Sequence, residues 1–390
     1  MGVRSMPSYT RLGEVPHKRH TQFRKPDGGL YSEELFGEEG FSGVYALLYH
    51  QYPPTRVTKI ARVGAVCQDE WPQETHRHHH LKTGKAEPSG DLVTGRQTLM
   101  YNNECAISVA RPAEDMAYFY RNSQGDELLF VHEGEGALET TFGTLPYAAG
   151  DYLVIPRGTT WRPLPGTVGQ RFLVIEAYGG AIQPPKRYRN EFGQLLEHSP
   201  YCERDLRPPS ELPVHTERGE FDVHIRVNGE IMAYTFDFHP LDLVGWDGYL
   251  YPYAFSIHDF EPITGRVHQP PPVHQTFEGP GFVVCSFCPR KLDYHPLAVP
   301  IPYNHSNIDS DEMIYYVSGN YAARKGIEVA SITLHPRGIP HGPQPGTVEK
   351  ALGKQETDEL AVMVDTFRPL KLGAAAEALD DPNYPFSWRE

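Results

Sequence analysis

The sequence lacks the features of membrane, secreted and disulfide-stabilised proteins. Its apolar runs fall short of the roughly 18–20 residues of a transmembrane helix, and no basic-then-apolar signal segment opens the chain. It has five cysteines in 390 residues, and an odd number in a long chain favours reduced thiols over a disulfide framework. We therefore expect a cytoplasmic protein that does not bind membranes.

Basic residues are outnumbered by acidic ones, with 36 Lys and Arg against 50 Asp and Glu. The formal net charge is −14, whereas nucleic-acid binding needs concentrated Lys and Arg, so nucleic acid is not an expected partner. Residues 17–20 form a small basic cluster, which we interpret as a solvated loop or a contact between subunits. Cys285 and Cys288 have the spacing of half a zinc site, but the sequence offers no second pair, and residues 282–288 have the pattern of a buried strand.

Helical periodicity is weak, and short extended segments divide the chain instead. The helical pattern is limited to stretches near residues 33–35 and 373–379. The 36 glycines and 36 prolines separate runs of β-branched and aromatic residues of strand length, such as 150–155 and 221–227. Many short strands with turn residues between them predict a mainly β fold, either a sandwich or a barrel.

An internal repeat organises these strands. In both copies an acidic pair leads a strand that ends at Gly, and a Pro-Arg-Gly turn follows further on. The matched segments are residues 126–134 with 311–319 and residues 156–161 with 336–341. The offset is about 180–185 residues, so we expect two copies of one β-unit, at roughly 100–180 and 280–366.

The order of strand, Gly, strand and Pro-x-Gly-x-x-His resembles the cupin barrel, which is a double-sheet jelly roll. We therefore predict two cupin-like barrels, of which the first is degenerate and the second binds a metal. The first barrel would lie within an N-terminal domain of residues 1–275, and the second would form a C-terminal domain of residues 276–390.

The second copy carries a complete set of metal ligands. Cupins place a His and a Glu from their first motif and a His from their second inside the barrel, and here these positions are His305, Glu312 and His341. Two imidazoles and one carboxylate leave open coordination positions, which is the arrangement of non-haem Fe(II) oxygenases. A further cupin ligand position holds Asn307, a poor ligand. We therefore expect Fe(II) held by three side chains.

The first copy has lost this set, since Tyr120, Glu127 and Trp161 stand at the three positions. A repeat that keeps Pro-Arg-Gly in both copies but exchanges His for Trp in one favours a functional site in the other. His76 and residues 78–80 form a rival cluster. Their segment is polar, however, and we interpret it as a solvated loop or a contact between subunits.

With these residues placed, the chain resembles the homogentisate 1,2-dioxygenase family over nearly its whole length. The strongest similarity runs from about residue 255 to residue 346. Its segments are residues 288–290, 302–307, 312–321, 334–335 and 340–343. The interval from His305 to Glu312 is one residue longer than the usual family pattern, and the chain is shorter than eukaryotic members.

The resemblance implies Fe(II) bound by His305, Glu312 and His341, with His341 also contacting the substrate. It further implies an active-site histidine, upstream of the iron-binding segments, that contacts a ring hydroxyl of the substrate and exchanges its proton. By its spacing to the proline-rich segment, that residue is His268, with His274 as the alternative.

Members of the family hold the carboxylate of their substrate with a Tyr and with a Lys three residues later. The matching positions are Tyr321 and Arg324, where Arg keeps the charge and can bind a carboxylate through two parallel hydrogen bonds. Lys325 follows directly. Tyr303 and His335 are expected to line the same pocket.

The resemblance therefore implies an extradiol-type dioxygenase that converts a small aromatic substrate, homogentisate, and O2 to maleylacetoacetate in tyrosine and phenylalanine catabolism. It also implies a homo-oligomer, either a trimer or a hexamer. One alternative is ring cleavage of gentisate, hydroquinone or a related phenol. Another is a cupin isomerase or hydrolase that uses Zn or Mn, since fold alone does not fix chemistry. A metal-free binding or storage protein is disfavoured by the ligand set of the second copy.

Overall fold

The computed structural model describes Arg4 and residues 8–321 and 323–389 of the chain. β-Strands dominate it, and its helices are little more than single turns. Within the described residues, no helix is long and apolar enough to cross a membrane. The predicted mainly β fold with two cupin-type units is confirmed by this strand content and by the sheets of the two units.

The strands are short and closely spaced along the chain. Those of the first half are β1 (Thr10–Gly13), β2 (Ser32–Gly37), β3 (Tyr45–His50), β4 (Val57–Ala65), β5 (His79–Leu81), β6 (Arg96–Tyr101), β7 (Cys105–Ala110), β8 (Phe119–Asn122), β9 (Asp126–Glu133), β10 (Gly136–Thr140), β11 (Gly143–Tyr147), β12 (Asp151–Ile155), β13 (Thr160–Pro165) and β14 (Arg171–Ala177). Those of the second half are β15 (Arg218–Val227), β16 (Glu230–Phe238), β17 (Leu243–Gly248), β18 (Tyr253–Ser256), β19 (Gln275–Gly279), β20 (Phe282–Phe287), β21 (Arg290–Lys291), β22 (Asp311–Ser318), β23 (Ile332–His335), β24 (Glu356–Thr357), β25 (Leu360–Thr366) and β26 (Lys371–Leu372).

Helices are few and short. The α-helices are α1 (Thr347–Ala351) and α2 (Ala374–Glu377), and α2 falls where the sequence predicts a helical stretch. Single 3₁₀ turns occur at Thr83–Lys85, Lys186–Tyr188, Glu203–Asp205, Ile257–Asp259, Pro271–His274 and Tyr384–Phe386. The prediction of a helical stretch near residues 33–35 was wrong. These residues belong to β2 and pair with β3, and strand pairing overrides the local helical pattern.

The first compact unit comprises Met1–Cys67, Pro88–Arg96 and Ala110–Ser256. Its strands are ordered β1-β17-β3-β2, β11-β10-β13-β8-β15-β16-β4 and β18-β12-β9-β14. The inward faces of the latter two sets share one apolar core, which includes Leu129, Val131, Leu138, Leu153, Trp161 and Phe172. This is the alternation expected of antiparallel strands that bury one face.

The second compact unit comprises Gln68–Glu87, Gln97–Val109 and Ile257–Glu390. Its main sheet has the order β19-β20-β25-β22-β23-β5, with shorter sets β7-β6-β26 and β21-β24. In the main sheet β22 lies between β25 and β23, so Glu312 on β22 has a cross-strand neighbour on each side.

The two units interleave along the chain. The sequence predicts one boundary, between residues 275 and 276, whereas Gln68–Glu87 and Gln97–Val109 belong to the second unit. The first of these segments is explained by β5, which pairs antiparallel with β23. Because β5 and β23 are far apart in sequence, no local sequence pattern predicts their pairing. The division into an N-terminal domain of residues 1–275 and a C-terminal domain of residues 276–390 stays a prediction.

The repeated acidic pairs share one structural role. Asp126 accepts a hydrogen bond from the backbone N–H of Arg157 at 3.1 Å, and Asp311 accepts one from the backbone N–H of Arg337 at 2.9 Å. In both copies the first acid therefore fastens the Pro-Arg-Gly turn to the start of a strand. Because side chains alternate along a strand, the second acid of each pair points to the opposite face.

Candidate metal centre and adjoining cavity

His305 and His341 are joined through their backbones. The N–H of His305 donates to the carbonyl of His341 at 2.8 Å, and the N–H of His341 donates back to the carbonyl of His305 at 2.9 Å. The two ring centroids lie 4.2 Å apart. An isolated antiparallel bridge therefore brings together the two histidines that the sequence predicts as ligands.

Glu312 forms a cluster with these histidines. Its Oε2 lies 3.6 Å from Nε2 of His305, and its Oε1 lies 3.5 Å from Nε2 of His341. One potential ligand atom from each of the three residues lies within 4.8 Å of the others. The side chain of His341 is fully buried, whereas that of His305 is 28% exposed, so the cluster is accessible on the His305 side.

Backbone carbonyls set the tautomers of both histidines. Nδ1 of His305 lies 3.1 Å from the carbonyl oxygen of Tyr303, and Nδ1 of His341 lies 3.3 Å from that of Ile339. A carbonyl can only accept, so each Nδ1 carries the proton and each Nε2 presents a lone pair. Nε2 of His341 is buried and has no hydrogen-bond partner among the described residues. Two such lone pairs facing the carboxylate of Glu312 form a donor set that a divalent cation satisfies.

The charge of Glu312 is stabilised by its neighbours. Burial by itself raises the pKa of Glu312, but the three imidazoles around it, of His305, His335 and His341, outweigh burial and hold the pKa well below its usual range. Burial lowers the pKa of His335 to about 3, so this imidazole is neutral near pH 7. The nearby carboxylate of Glu312 raises the pKa of His305. The cluster therefore presents an ionised carboxylate.

Asp365 is a second buried carboxyl group that the sequence analysis missed. It is the cross-strand neighbour of Glu312 on β25, and its Oδ1 is buried without a partner in the described part of the chain. Burial first, and the charge of Glu312 second, raise the pKa of Asp365 to about 8. The repeat held a usable signal, because Glu176 pairs with Glu127 in the first unit in the same way. Each unit thus buries two neighbouring carboxyl groups.

In the first unit guanidinium groups balance this pair, since Arg226 pairs with Glu176 and Arg96 lies beside both acids. Nη1 of Arg96 lies 2.6 Å from Oε1 of Glu127 and 3.6 Å from Oε1 of Glu176. Tyr120 and Trp161 are cross-strand neighbours, as the two histidines are in the second unit, and Nε1 of Trp161 donates to Oε2 of Glu127 at 3.2 Å. The aromatic side chains and Arg96 therefore stand where the second unit has two imidazoles.

A cavity of about 160 Å³ adjoins the cluster in the second unit, and its wall includes His305 and Glu312. Most of the wall is apolar, including Pro271, Phe287, Leu292, Ile301, Ile314 and Met363. An apolar cavity with a few convergent polar groups is typical of a small-molecule site.

Both histidines considered for proton transfer line this cavity. Nδ1 of His268 lies 3.9 Å from Oδ2 of Asp293, and its Nε2 is buried with no partner among the residues described. His274 packs against Phe287, and burial lowers its pKa to about 3. His268 thus has a carboxylate beside its Nδ1, whereas burial holds His274 neutral.

Tyr321 and Arg324 also line the cavity. The hydroxyl of Tyr321 donates to the carbonyl of Leu360 at 2.8 Å, and Nη1 of Arg324 donates to the carbonyl of Gly342. Nε of Arg324 is buried without a partner in the parts of the chain described. Burial lowers the pKa of Arg324, but nearby phenols and Glu312 outweigh burial and raise it, so the guanidinium is charged.

An ion pair in the cavity wall escaped the sequence analysis. Nη2 of Arg290 lies 2.8 Å from Oε1 of Glu359, and both residues line the cavity. Arg290 belongs to a segment that carries the family resemblance, but nothing in the sequence connects it to Glu359. Because Glu359 neutralises Arg290, Arg324 is the better placed of the two guanidinium groups to bind an anion.

Tyr303 and His335 lie outside the cavity wall as the described residues define it. Tyr303 is 63% exposed, with its ring centroid 5.2 Å from that of His268, and its contact with substrate stays a prediction. The expectation that His335 lines the pocket needs correction. It is fully buried beside Glu312, because the two residues are cross-strand neighbours on β23 and β22.

The interpretation of residues 78–80 as part of a solvated loop was wrong, whereas His76 is exposed, and a contact between subunits stays a prediction. His78, His79 and His80 are only 7%, 3% and 2% exposed. The last two lie on β5, whose pairing with β23 buries them despite the polar character of the segment. The ring of His78 lies 5.0 Å from that of Trp388 and 6.2 Å from that of His341. The segment therefore packs beside the candidate metal centre rather than in solvent.

The chain is similar to several known proteins. The family model described as homogentisate 1,2-dioxygenase N-terminal matches residues 89–257. A provisionally named dioxygenase of Saccharolobus solfataricus is 47% identical over 386 residues, covering 98% of this chain and 99% of that protein. The homogentisate 1,2-dioxygenase of Rhodopseudomonas palustris is 27% identical over 292 residues, covering 70% of this chain and 63% of that enzyme. A cupin 2 conserved barrel domain protein from Leptotrichia buccalis is similar at a TM-score of 0.33 and 10% identity, covering 76% of this chain and 99% of that one. The chain belongs to the homogentisate 1,2-dioxygenase family.

Proposed function

We propose that the protein is an Fe(II)-dependent extradiol-type dioxygenase that cleaves the ring of homogentisate with O2 to give maleylacetoacetate. The observation that carries the proposal is the cluster of His305, Glu312 and His341 beside a mostly apolar cavity. Membership of the family supports ring cleavage as the reaction class, and the homogentisate named for several relatives supports the substrate.

The donor set of the cluster fits Fe(II). Nε2 of His305, Nε2 of His341 and one oxygen of Glu312 would be the ligands, since each Nδ1 is engaged by a backbone carbonyl. Three such ligands leave positions open for small molecules. When bound there, Fe(II) would supply Lewis-acid polarisation of a phenolic oxygen and the electron density that activates dioxygen.

His268 would move the proton of the substrate. Its buried Nε2 in the cavity wall would accept the proton of a ring hydroxyl and return it to the product, a task that imidazole performs near neutral pH. Asp293, close to Nδ1, would orient the ring. The apolar wall would exclude water, which strengthens these electrostatic interactions.

Arg324 would bind the carboxylate on the side chain of the substrate. Its guanidinium is charged, lines the cavity and leaves Nε without a partner among the described residues. A carboxylate is the anion that a guanidinium binds with two parallel hydrogen bonds. Tyr321 would provide a second contact, although its hydroxyl first has to leave the carbonyl of Leu360 or accept a hydrogen bond.

A related phenol without an acidic side chain is the second candidate substrate. Tyr321 and Nη1 of Arg324 are both engaged by backbone carbonyls. These contacts favour a neutral hydroquinone over an anion, whereas the unpartnered Nε of Arg324 favours an anion. The same cavity and metal site would serve either substrate.

The test measures oxygen uptake and product together. Protein loaded anaerobically with Fe(II) would be mixed with homogentisate, gentisate or hydroquinone in air-saturated buffer. We expect oxygen consumption with homogentisate and the growth of near-ultraviolet enone absorbance. Iron-loaded protein that shows neither change with homogentisate would reject this substrate, and turnover of hydroquinone alone would support the second candidate.

The assembly and the pathway complete the proposal. By its family, the protein would be a homo-oligomer, either a trimer or a hexamer, and would act in tyrosine and phenylalanine catabolism. Light scattering coupled to size-exclusion chromatography measures the subunit number directly.

A further inference from the structure

We propose that Tyr384 is a positioning residue for the metal-binding carboxylate and acts on Glu312 through His335. The inference rests on the metal site of the proposed function but not on its substrate. Nδ1 of His335 lies 2.7 Å from Oε1 of Glu312, and Nε2 of His335 lies 3.0 Å from the hydroxyl of Tyr384. Glu312, His335 and Tyr384 are all buried, so water does not compete for these hydrogen bonds.

The ends of this array fix the direction of its hydrogen bonds. A carboxylate can only accept, so Nδ1 of His335 carries a proton and donates it to Glu312. A neutral imidazole has one N–H, so Nε2 is a lone pair and the hydroxyl of Tyr384 must donate to it. The other tautomer would set the lone pair of Nδ1 against a carboxylate oxygen only 2.7 Å away.

With this direction of hydrogen bonding, the two oxygens of Glu312 have different roles. Oε1 accepts the hydrogen bond of His335 at 2.7 Å and also lies 3.5 Å from Nε2 of His341, whereas Oε2 faces Nε2 of His305 at 3.6 Å. Because the short hydrogen bond occupies Oε1, Oε2 is the more available oxygen. Glu312 would therefore bind a metal mainly through Oε2. Coordination through one oxygen leaves one more position for substrate or O2 than coordination through both. Tyr384, by holding the tautomer of His335, keeps the carboxylate in that state.

Short-range contacts hold Tyr384 in place. It begins the 3₁₀ turn Tyr384–Phe386, and its carbonyl accepts a hydrogen bond from Oγ of Ser387 at 2.7 Å. Nε2 of Gln344 donates to the same Oγ at 2.7 Å. Gln344 lies three residues after His341 in sequence. The segment that carries one metal ligand therefore also anchors the turn that supports another.

Substitution of the hydroxyl alone tests the proposal. Tyr384→Phe keeps the ring but removes the donor to His335, and Co(II) titrated anaerobically serves as the metal probe. We expect Co(II) affinity to fall by about 10- to 100-fold, the range for residues that hydrogen-bond to metal ligands without binding the metal themselves. We also expect an altered Co(II) absorption spectrum, because Glu312 is no longer restricted to one oxygen. Unchanged affinity together with an unchanged spectrum would overturn the proposal.

Tyr147→Phe is the matched control. It deletes another buried hydroxyl, which donates to Gln170 at 2.9 Å in the first unit. We expect it to keep both the Co(II) affinity and the spectrum of the unmodified protein, so that a change in Tyr384→Phe reports on the array and not on the loss of any buried hydrogen bond.

Two further measurements separate positioning from folding. His335→Asn keeps an N–H donor near the position of Nδ1 but removes the ring through which Tyr384 would act. In the His335→Asn background, Tyr384→Phe should therefore change Co(II) affinity by less than about twofold, which is the usual deviation between independent substitutions. Fully additive effects would contradict action through His335.

In the unmodified Zn(II) protein, ¹⁵N spectra should show His335 as the Nδ1–H tautomer, and the Nε2–H tautomer would refute the proposal without any variant. Neither measurement involves homogentisate, so failure of the proposed substrate stays distinguishable from failure of this inference.

Discussion

The guanidinium of Arg96 lies 2.6 Å from Oε1 of Glu127, at the position in the first unit that the repeat aligns with Glu312 in the second. A side-chain cation thus neutralises the carboxylate that a metal ion would neutralise in the other unit. Tyr120 and Trp161 stand at the positions of the two histidines, so the first unit lacks the imidazole ligands at this site among its described residues. The two units therefore solve the same electrostatic problem in different ways.

The first prediction concerns removal of that cation. Arg96→Met leaves Glu127 buried without its guanidinium, while Glu176 keeps its ion pair with Arg226. We expect the free energy of unfolding of the first unit to fall by about 3–5 kcal/mol. Metal content should stay at one ion per chain. Urea unfolding and elemental analysis after anaerobic reconstitution measure the two quantities.

Arg56→Met is the control for this change. Arg56 pairs with Asp237 at the surface, where its side chain is 44% exposed, and such pairs contribute about 0–1 kcal/mol. Equal destabilisation by the two substitutions would contradict the role of Arg96, as would a second metal ion in the unmodified chain.

The second prediction concerns the ligand that is most deeply buried. His341→Ala removes the lone pair of Nε2, and we expect stoichiometric Fe(II) binding to be lost while the β-rich circular dichroism spectrum is kept. His17→Ala, at an exposed position, should bind Fe(II) as the unmodified protein does. Retention of tight Fe(II) binding by His341→Ala would remove this residue from the ligand set.

The sequence predicted the site residues that lie within the repeated segments. It aligned His305 and His341 with Tyr120 and Trp161, and the structure places both pairs as cross-strand neighbours. The carboxyl group of Asp365 could have been found in the same way, through Glu176. By contrast, residues that reach the site from distant segments left no readable pattern.

Three examples show what that limitation means physically. His78 reaches the second unit because β5 pairs with β23, and Tyr384 reaches His335 through a single 3₁₀ turn. Arg290 and Glu359 meet only when β21 and the segment before β25 come together. Contacts of this kind depend on long-range strand pairing, which the local spacing of residues does not specify. The family resemblance supplied the types of the site residues but not these supporting partners.

The third prediction separates the two candidate histidines for proton transfer. His268→Gln should keep Fe(II) and the Co(II) spectrum but lower kcat by about 10²- to 10⁴-fold, the usual contribution of a general acid or base. His274→Gln should have a much smaller effect on kcat, because burial holds that imidazole neutral. Steady-state oxygen uptake compares the two variants, and the reverse order of effects would assign the role to His274.

The fourth prediction concerns the anion-binding role of Arg324. Arg324→Ala should raise KM for homogentisate by about 10- to 100-fold, since a charge-assisted hydrogen bond contributes about 1.5–3 kcal/mol. KM for hydroquinone, which has no carboxylate, should change much less. Lys325→Ala is the control, because Lys325 is the adjacent, exposed cation. Equal increases in KM for both substrates would exclude a specific role of Arg324 in binding the carboxylate.

His50 is a buried histidine in the first unit that lies between two acids. Its Nδ1 lies 2.7 Å from Oδ1 of Asp242, and its Nε2 lies 2.9 Å from Oε2 of Glu34. Burial alone lowers the pKa of His50, but the hydrogen bonds and charges of the two acids outweigh burial and raise the pKa to about 9. Both ring nitrogens therefore act as donors, and the folded protein holds an imidazolium inside the unit.

The fifth prediction is the pH dependence that follows. In the unfolded chain His50 titrates near pH 6.5, so between about pH 6.5 and 9 the folded chain binds a proton that the unfolded chain has released. Its stabilising contribution is complete below this window and is lost as the pH rises through it, by about 3 kcal/mol at about 1.4 kcal/mol per pKa unit. Urea unfolding at pH 6 and at pH 9.5 measures the loss. His50→Gln should be less stable at pH 6 and should lack this part of the decline, because it has no titrating group at that position. An identical decline in both proteins would mean that His50 does not carry the charge.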